Sequence, residues 1–130
     1  MGYDKDQLPH EVLSFLAERH LATLATTRPD GSLHLCAIGF TYDPAVGLAR
    51  VICAGGSRKA VNAARPGARA GVAQVDGPRW LSLEGPVTVT DDPERVADAV
   101  ARYSARYRQP GESPTRVALE ISVERILGRA

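Results

Sequence analysis

Val51-Ile52-Cys53-Ala54-Gly55-Gly56-Ser57-Arg58-Lys59-Ala60-Val61-Asn62 carries an apolar run into a glycine pair and then into residues of helical character. The order predicts a strand, a tight turn and the start of a helix. Two glycines permit the turn, and Ser57 is a favoured residue at a helix N-cap. Unpaired backbone N–H groups and the positive end of the helix dipole gather at such a point. Arg58 and Lys59 add two cations there, which the dipole disfavours unless an anion sits among them. A phosphate would satisfy both charges. The plain alternative is a solvated helix start.

Working outward, residues 8–19 place Leu8, Val12, Phe15, Leu16 and Arg19 at helical spacing. Residues 20–27 shift to β-compatible letters, and Arg28-Pro29-Asp30-Gly31-Ser32 supplies a turn. Leu33 to Tyr42 alternates with both faces largely apolar, which predicts a strand covered on both sides, with Gly39 as a point of bending or ligand approach. Asp43 to Gly47 turns the chain into the strand 48–54, next to its predecessor. Beyond the central stretch, a helix from Ser57 to about Ala64 stops at Arg65-Pro66-Gly67. Strands 69–75 and 80–89 form a hairpin around Asp76-Gly77-Pro78-Arg79, and Pro86 marks a bulge or an edge. Asp92-Pro93-Glu94 opens the longest helix, which ends near Gln109-Pro110-Gly111, and residues 115–127 alternate as a last strand. Six strands with three helices predict a mainly β protein built on an antiparallel barrel.

The 130 residues suit one domain spanning 1–130. A net charge of +1 gives no global field for nucleic acid, so any anion site must be local. The apolar runs are too short to cross a bilayer and the polar start Met1 to Asp6 lacks a signal-peptide pattern, so a cytoplasmic location without membrane attachment is expected. Cys36 and Cys53 lack metal-ligand spacing and read as reduced core thiols. No metal set and no nucleophile-base-acid triad is recognisable. His34 is a proton-donor candidate by its near-neutral titration, although a lone histidine on an apolar strand face is more often a packed residue. His10 and His20 read as surface positions, and Glu120 and Glu124 as a solvated face.

Leu21-Ala22-Thr23-Leu24-Ala25-Thr26, Pro29-Asp30-Gly31-Ser32, Ser57-Arg58-Lys59 and Leu83-Glu84-Gly85 stand in an order that resembles the split β-barrel flavin and deazaflavin oxidoreductases related to pyridoxamine 5′-phosphate oxidase. The resemblance covers residues 9–128. Within that superfamily, residues 51–63 and 74–85 are most similar to coenzyme F420-dependent enzymes of the biliverdin reductase branch. The resemblance implies a six-stranded split β-barrel and a homodimer with cofactor sites at the subunit interface. It puts Ser57, Arg58 and Lys59 at the cofactor phosphate, and Ile52 and Cys53 along the ring system. The oxidases have an aromatic and a hydroxyl residue at these last two places, and the departure favours coenzyme F420 over flavin mononucleotide. Trp80 stands where the oxidases have a glutamine near the ring, and its indole could pack on a planar heterocycle. The implied reaction is hydride transfer from reduced deazaflavin to a conjugated small molecule, biliverdin first. Arg28, Arg79, Arg106 and Arg108 are then candidates for its propionates. The rival readings are a reductase of a quinone or enone using the deazaflavin or flavin mononucleotide, and a non-catalytic carrier of a flavin, deazaflavin, pyridoxal phosphate or haem.

Overall fold

The computed structural model describes residues 2–130 and is mainly β, with three helices. In chain order the elements are β1 (Gly2–Tyr3), α1 (His10–Ala17), β2 (Ala22–Thr27), β3 (Leu33–Ile38), β4 (Thr41–Asp43), β5 (Leu48–Ala54), α2 (Arg58–Ala63), β6 (Arg69–Asp76), β7 (Arg79–Thr90), α3 (Pro93–Arg106), β8 (Arg116–Ser122) and β9 (Arg125–Arg129). All pairings are antiparallel, and the strands run β3-β2-β6-β7-β8-β5-β4, with β9 joining β7 to β1.

β7 belongs to both halves of the sheet. Its first part pairs with β6 and β9, and Val87 to Thr90 pair with β8. The change of partner falls at Gly85-Pro86, where a Cβ on Gly85 would lie 1.9 Å from the Ser122 carbonyl oxygen. Only a residue without a side chain lets the backbones cross so closely. Pro86, predicted as a bulge or edge, stands at this corner.

Four sequence expectations are corrected by the fold. The expected six strands are nine segments, because the runs 33–42 and 115–127 each break in two and residues 2–3 add a short strand. The first break is at Gly39, where a Cβ would meet the rings of Tyr103 and Tyr107 at 2.9–3.0 Å. Beyond it the chain leaves β2 and pairs with β5 as β4. Leu33 and Leu35 are each 61% exposed, so β3 is an edge strand with one open face rather than a strand covered on both sides. Glu120 is buried and ion-paired with Arg95, not solvated. Glu124 is exposed and bonded to Arg69 at 2.7 Å.

α1 covers the core through its apolar stripe, and α3 packs on the sheet with Ala99 as its buried residue. Val12, Phe15 and Leu16 of α1 are buried, and the longer α3 is capped by Asp92, whose side chain accepts from the Arg95 N–H at 3.0 Å. The two helices meet the sheet at a polar knot. Arg106, in the last turn of α3, donates to the carbonyls of Glu18 (2.8 Å) and Phe40 (2.6 Å) and to Gln74 Oε1 (2.7 Å). Gln74, itself buried, donates to the Phe15 carbonyl at 3.1 Å. Burial lowers the guanidinium of Arg106 from its ordinary value. Its hydrogen bonds offset that loss of hydration. His20, read as a surface position, is half-buried with its ring edge-on to Phe15.

Arg106→Leu leaves the buried oxygen of Gln74 without its donor and removes one from the Phe40 carbonyl. The expected cost is about 2–4 kcal/mol of folding stability, the scale of one or two unsatisfied buried acceptors. Urea denaturation measures it, and a change below about 0.5 kcal/mol, that of an ordinary surface substitution, would show that the knot is not a stabilising contact.

Candidate binding groove

β5 ends beside the break between β3 and β4, and the two sheet edges do not pair there. An open groove of about 370 Å³ lies between them. Ile52, Cys53 and Ala54 form one wall, Ile38 and Gly39 another, and Tyr103 reaches in from α3. Ser57 and Lys59 line it at the start of α2, and Pro110, Ser113 and Arg116 come from the chain after α3.

Four of the predicted contact residues, Ile52, Cys53, Ser57 and Lys59, therefore meet in one groove. Arg58 is exposed and is not part of its wall. Trp80 is also outside it, 39% exposed at the Arg79 end of β7, where it pairs with Val75 and Arg129. His34 is opposite Thr26 in the β2–β3 ladder, with a buried Nδ1 that has no hydrogen-bond partner, and it does not line the groove.

The Ser57 hydroxyl is committed locally. It donates to the Ala54 carbonyl at 2.7 Å and accepts from the Ala60 N–H at 3.4 Å, closing the turn and capping α2. Asn62, three residues after Lys59, is buried and donates to Thr26 Oγ1 at 3.1 Å, which ties the helix to β2. α2 spans only six residues, so its dipole is small and the charge of the groove rests on side chains. Lys59 and Arg116 supply it. Among the described residues neither forms an ion pair, and the contact found for Arg116 is a hydrogen bond to the Gly111 carbonyl. Two cations without carboxylate partners beside an apolar wall suit a flat molecule that carries a phosphate.

Of the four arginines considered for substrate contact, three are engaged in the fold. Arg28 donates to the Leu33 carbonyl at 2.6 Å within its hairpin, and Arg106 sits in the polar knot. Arg79 donates to both Glu18 oxygens at 2.8 Å and also bonds Asp76. Its hydrogen bonds hold the Glu18 carboxyl at about 2. Glu18, His20 and Asp76 bring metal-ligand atoms within 4.8 Å of one another, but the Arg79 guanidinium already supplies the cation there. Arg108 is exposed and uncommitted.

Tyr103 and Arg116 escape a sequence reading. Tyr103 shows only as a helix-periodic residue and Arg116 as the start of a strand, because what brings them to the groove is the packing of α3 on Gly39 and the return of the chain along β5.

Residues 8–130 match the family described as pyridoxamine 5′-phosphate oxidase. A curated relative, the F420H(2)-dependent biliverdin reductase of Mycobacterium tuberculosis, is 54% identical over 124 residues, which are 95% of this chain and 90% of that protein. Two solved structures share the fold. A conserved hypothetical protein from Mycobacterium tuberculosis superposes with a TM-score of 0.80 at 24% identity, over 99% of this chain and 89% of that one. A structure titled F420 reductase gives 0.74 at 23% identity, over 92% and 98%.

Burial pushes the Cys53 thiol up from its ordinary value, and the Ser57 hydrogen bond and Lys59 charge offset this in part. Iodoacetamide should therefore label Cys53 more slowly than free cysteine at pH 7, with the rise in rate displaced to higher pH than that of free cysteine. Peptide mass spectrometry follows it, and rapid labelling at neutral pH would contradict a protonated, half-buried thiol.

Proposed function

The chain belongs to the pyridoxamine 5′-phosphate oxidase family, and on that premise we propose that it is a coenzyme F420-dependent oxidoreductase that reduces biliverdin to bilirubin. The observation that carries the reading is the groove itself, an apolar wall of Ile38, Ile52 and Cys53 that ends at two unpaired cations. Its donor set fits a phosphate-bearing deazaflavin. Lys59 and Arg116 would hold the phosphate, Ser57 would keep the turn closed beneath it, and Ile52, Cys53 and Tyr103 would take the ring system. When bound in its reduced form, the deazaflavin supplies a hydride to an electrophilic carbon of a conjugated acceptor.

This chain's own residues orient and desolvate. The aliphatic wall excludes water from one side of the bound ring, and the neutral Cys53 thiol adds no competing charge. The wall contains no carboxylate and no imidazole. His34 does not line the groove, so the proton for the reduced product is assigned to solvent at its open mouth rather than to His34. The match to a 54% identical biliverdin reductase supports this reading over flavin mononucleotide or a carrier role. So does the aliphatic and thiol pair Ile52-Cys53, where the oxidase pattern has an aromatic and a hydroxyl.

On this reading residues 1–130 form one domain that pairs into a homodimer. Leu33 and Leu35 on β3 and Val75 on β6 are 61–67% exposed, and the cross-strand neighbours of Leu35 and Val75 are Ala25 and Trp80. A sheet face that leaves this much apolar area in water is a surface for a second copy. Trp80, outside its own groove, keeps its proposed place at the cofactor only if such pairing brings it to the partner's groove. Arg58, exposed at the start of α2, is likewise free to serve a phosphate from the interface side. The enzyme acts in the cytoplasm, on a small molecule and without nucleic acid.

Anaerobic mixing of the purified protein with reduced F420 and biliverdin should give deazaflavin oxidation matched mole for mole by bilirubin formation. No deazaflavin oxidation with biliverdin, where menadione supplied in its place does oxidise the deazaflavin, would replace biliverdin with another acceptor. Sedimentation should give twice the chain mass, and Leu35→Glu should shift it to the monomer; a monomeric wild type would remove the interface.

A further inference from the structure

A second cleft of about 420 Å³ adjoins the groove, lined by Arg19, Leu21, Tyr103, Tyr107 and Arg108. Tyr103 belongs to the walls of both, so the two cavities share that residue. The floor is fixed. The Tyr103 and Tyr107 rings pack at a tilt of 34° with centroids 4.9 Å apart, and the Tyr107 hydroxyl donates to the His20 carbonyl at 2.6 Å and accepts from the Phe40 N–H at 3.2 Å. Leu21, 67% exposed, forms an apolar side.

Arg19 and Arg108 set this cleft apart. They follow α1 and α3 and converge from different helices on the same space. Arg28, Arg50, Arg65, Arg69, Arg79, Arg95, Arg102 and Arg106 all bond to a side chain or carbonyl. No such bond is found for Arg19, Arg58 or Arg108 among the described residues, and of these three Arg19 and Arg108 share a cleft. Two guanidiniums sharing a cleft without an acidic partner repel one another, and an anion between them removes that cost. The planar fork of arginine matches a carboxylate, and a tyrosine floor with a leucine side suits a flat apolar body attached to it.

We propose that this cleft is a carboxylate-binding subsite, in which Arg19 and Arg108 hold the acid groups of a flat conjugated ligand whose body lies over Tyr103. Its placement beside the groove makes the acceptor the ligand, and that assignment rests on the function proposed above. The same chemistry could be met by glutamates on the tail of the cofactor. The subsite sets specificity and takes no part in hydride transfer.

The test uses Arg19→Gln, Arg108→Gln and the double variant, with thermal melts to confirm folding and equilibrium binding read by absorbance and Trp80 fluorescence. The probes are biliverdin, its dimethyl ester, and F420 carrying one or several glutamates. Each substitution should weaken biliverdin binding about tenfold, the scale of one charge-assisted hydrogen bond, and leave the diester unchanged. Weakened F420 binding that grows with glutamate number, with biliverdin unaffected, would keep the carboxylate subsite and give it to the cofactor tail. Unchanged binding of every probe by the folded double variant would overturn the proposal. Because binding is the readout, a wild-type protein that binds biliverdin through these arginines but never reduces it would refute the proposed reaction and leave the subsite standing.

Discussion

The guanidinium of Arg106 joins three parts of the chain that otherwise have little reason to stay together. It fastens the end of α3 to the end of α1 through the Glu18 carbonyl, to the β3–β4 break through Phe40, and to β6 through Gln74. A charged group accepts such burial only when its donors are used, so the geometry is specific as well as stabilising. Tyr107, the next residue, completes the knot through its hydroxyl. With α3 set in this way, Tyr103, one turn earlier, packs against Gly39 and lines both cavities. Arg106 is thus a structural residue whose consequence is the shape of the binding region.

Two glycines without side-chain clearance set the rest. Gly85 lets β7 pass from one half of the sheet to the other against the Ser122 carbonyl, and Gly39 lets β3 end under the tyrosines of α3. Between these corners the sheet edges separate, and the gap beside β5 becomes a groove. The charge in it comes from Lys59 and Arg116, residues far apart in sequence. Ser57 and Asn62 use their hydrogen bonds to hold α2 in place, so Lys59 projects from a fixed support.

Features governed by neighbours in sequence were legible before the fold was known. The Ser57 and Asp92 caps, the turn at Asp76 to Arg79 and the strand-turn-helix path to Lys59 depend on local backbone chemistry. The ordered motifs carried the family and pointed to deazaflavin chemistry. Features set by distant contacts were not legible. Glu120 alternates as a solvated residue would, and its burial depends on Arg95, 25 residues away. Leu33 and Leu35 look like core residues, because nothing local says that β3 has no neighbour on one side. Arg106 reads as a free substrate ligand until Gln74 and Phe40 are brought to it. Arg116 and Tyr103 reach the groove only through the packing of β8 on β5 and of α3 on Gly39.

The central claim is that Lys59 holds the phosphate of a deazaflavin in this groove, and the most direct measurement compares two ligands on two proteins. Dissociation constants for F420 and for the same chromophore without its phosphate and tail are measured on the wild type and on Lys59→Ala. The expected result is that Lys59→Ala weakens F420 by about 1.5–3 kcal/mol and leaves the phosphate-free chromophore nearly unchanged. Equal losses for both ligands, or none for either with the fold intact, would contradict the assignment.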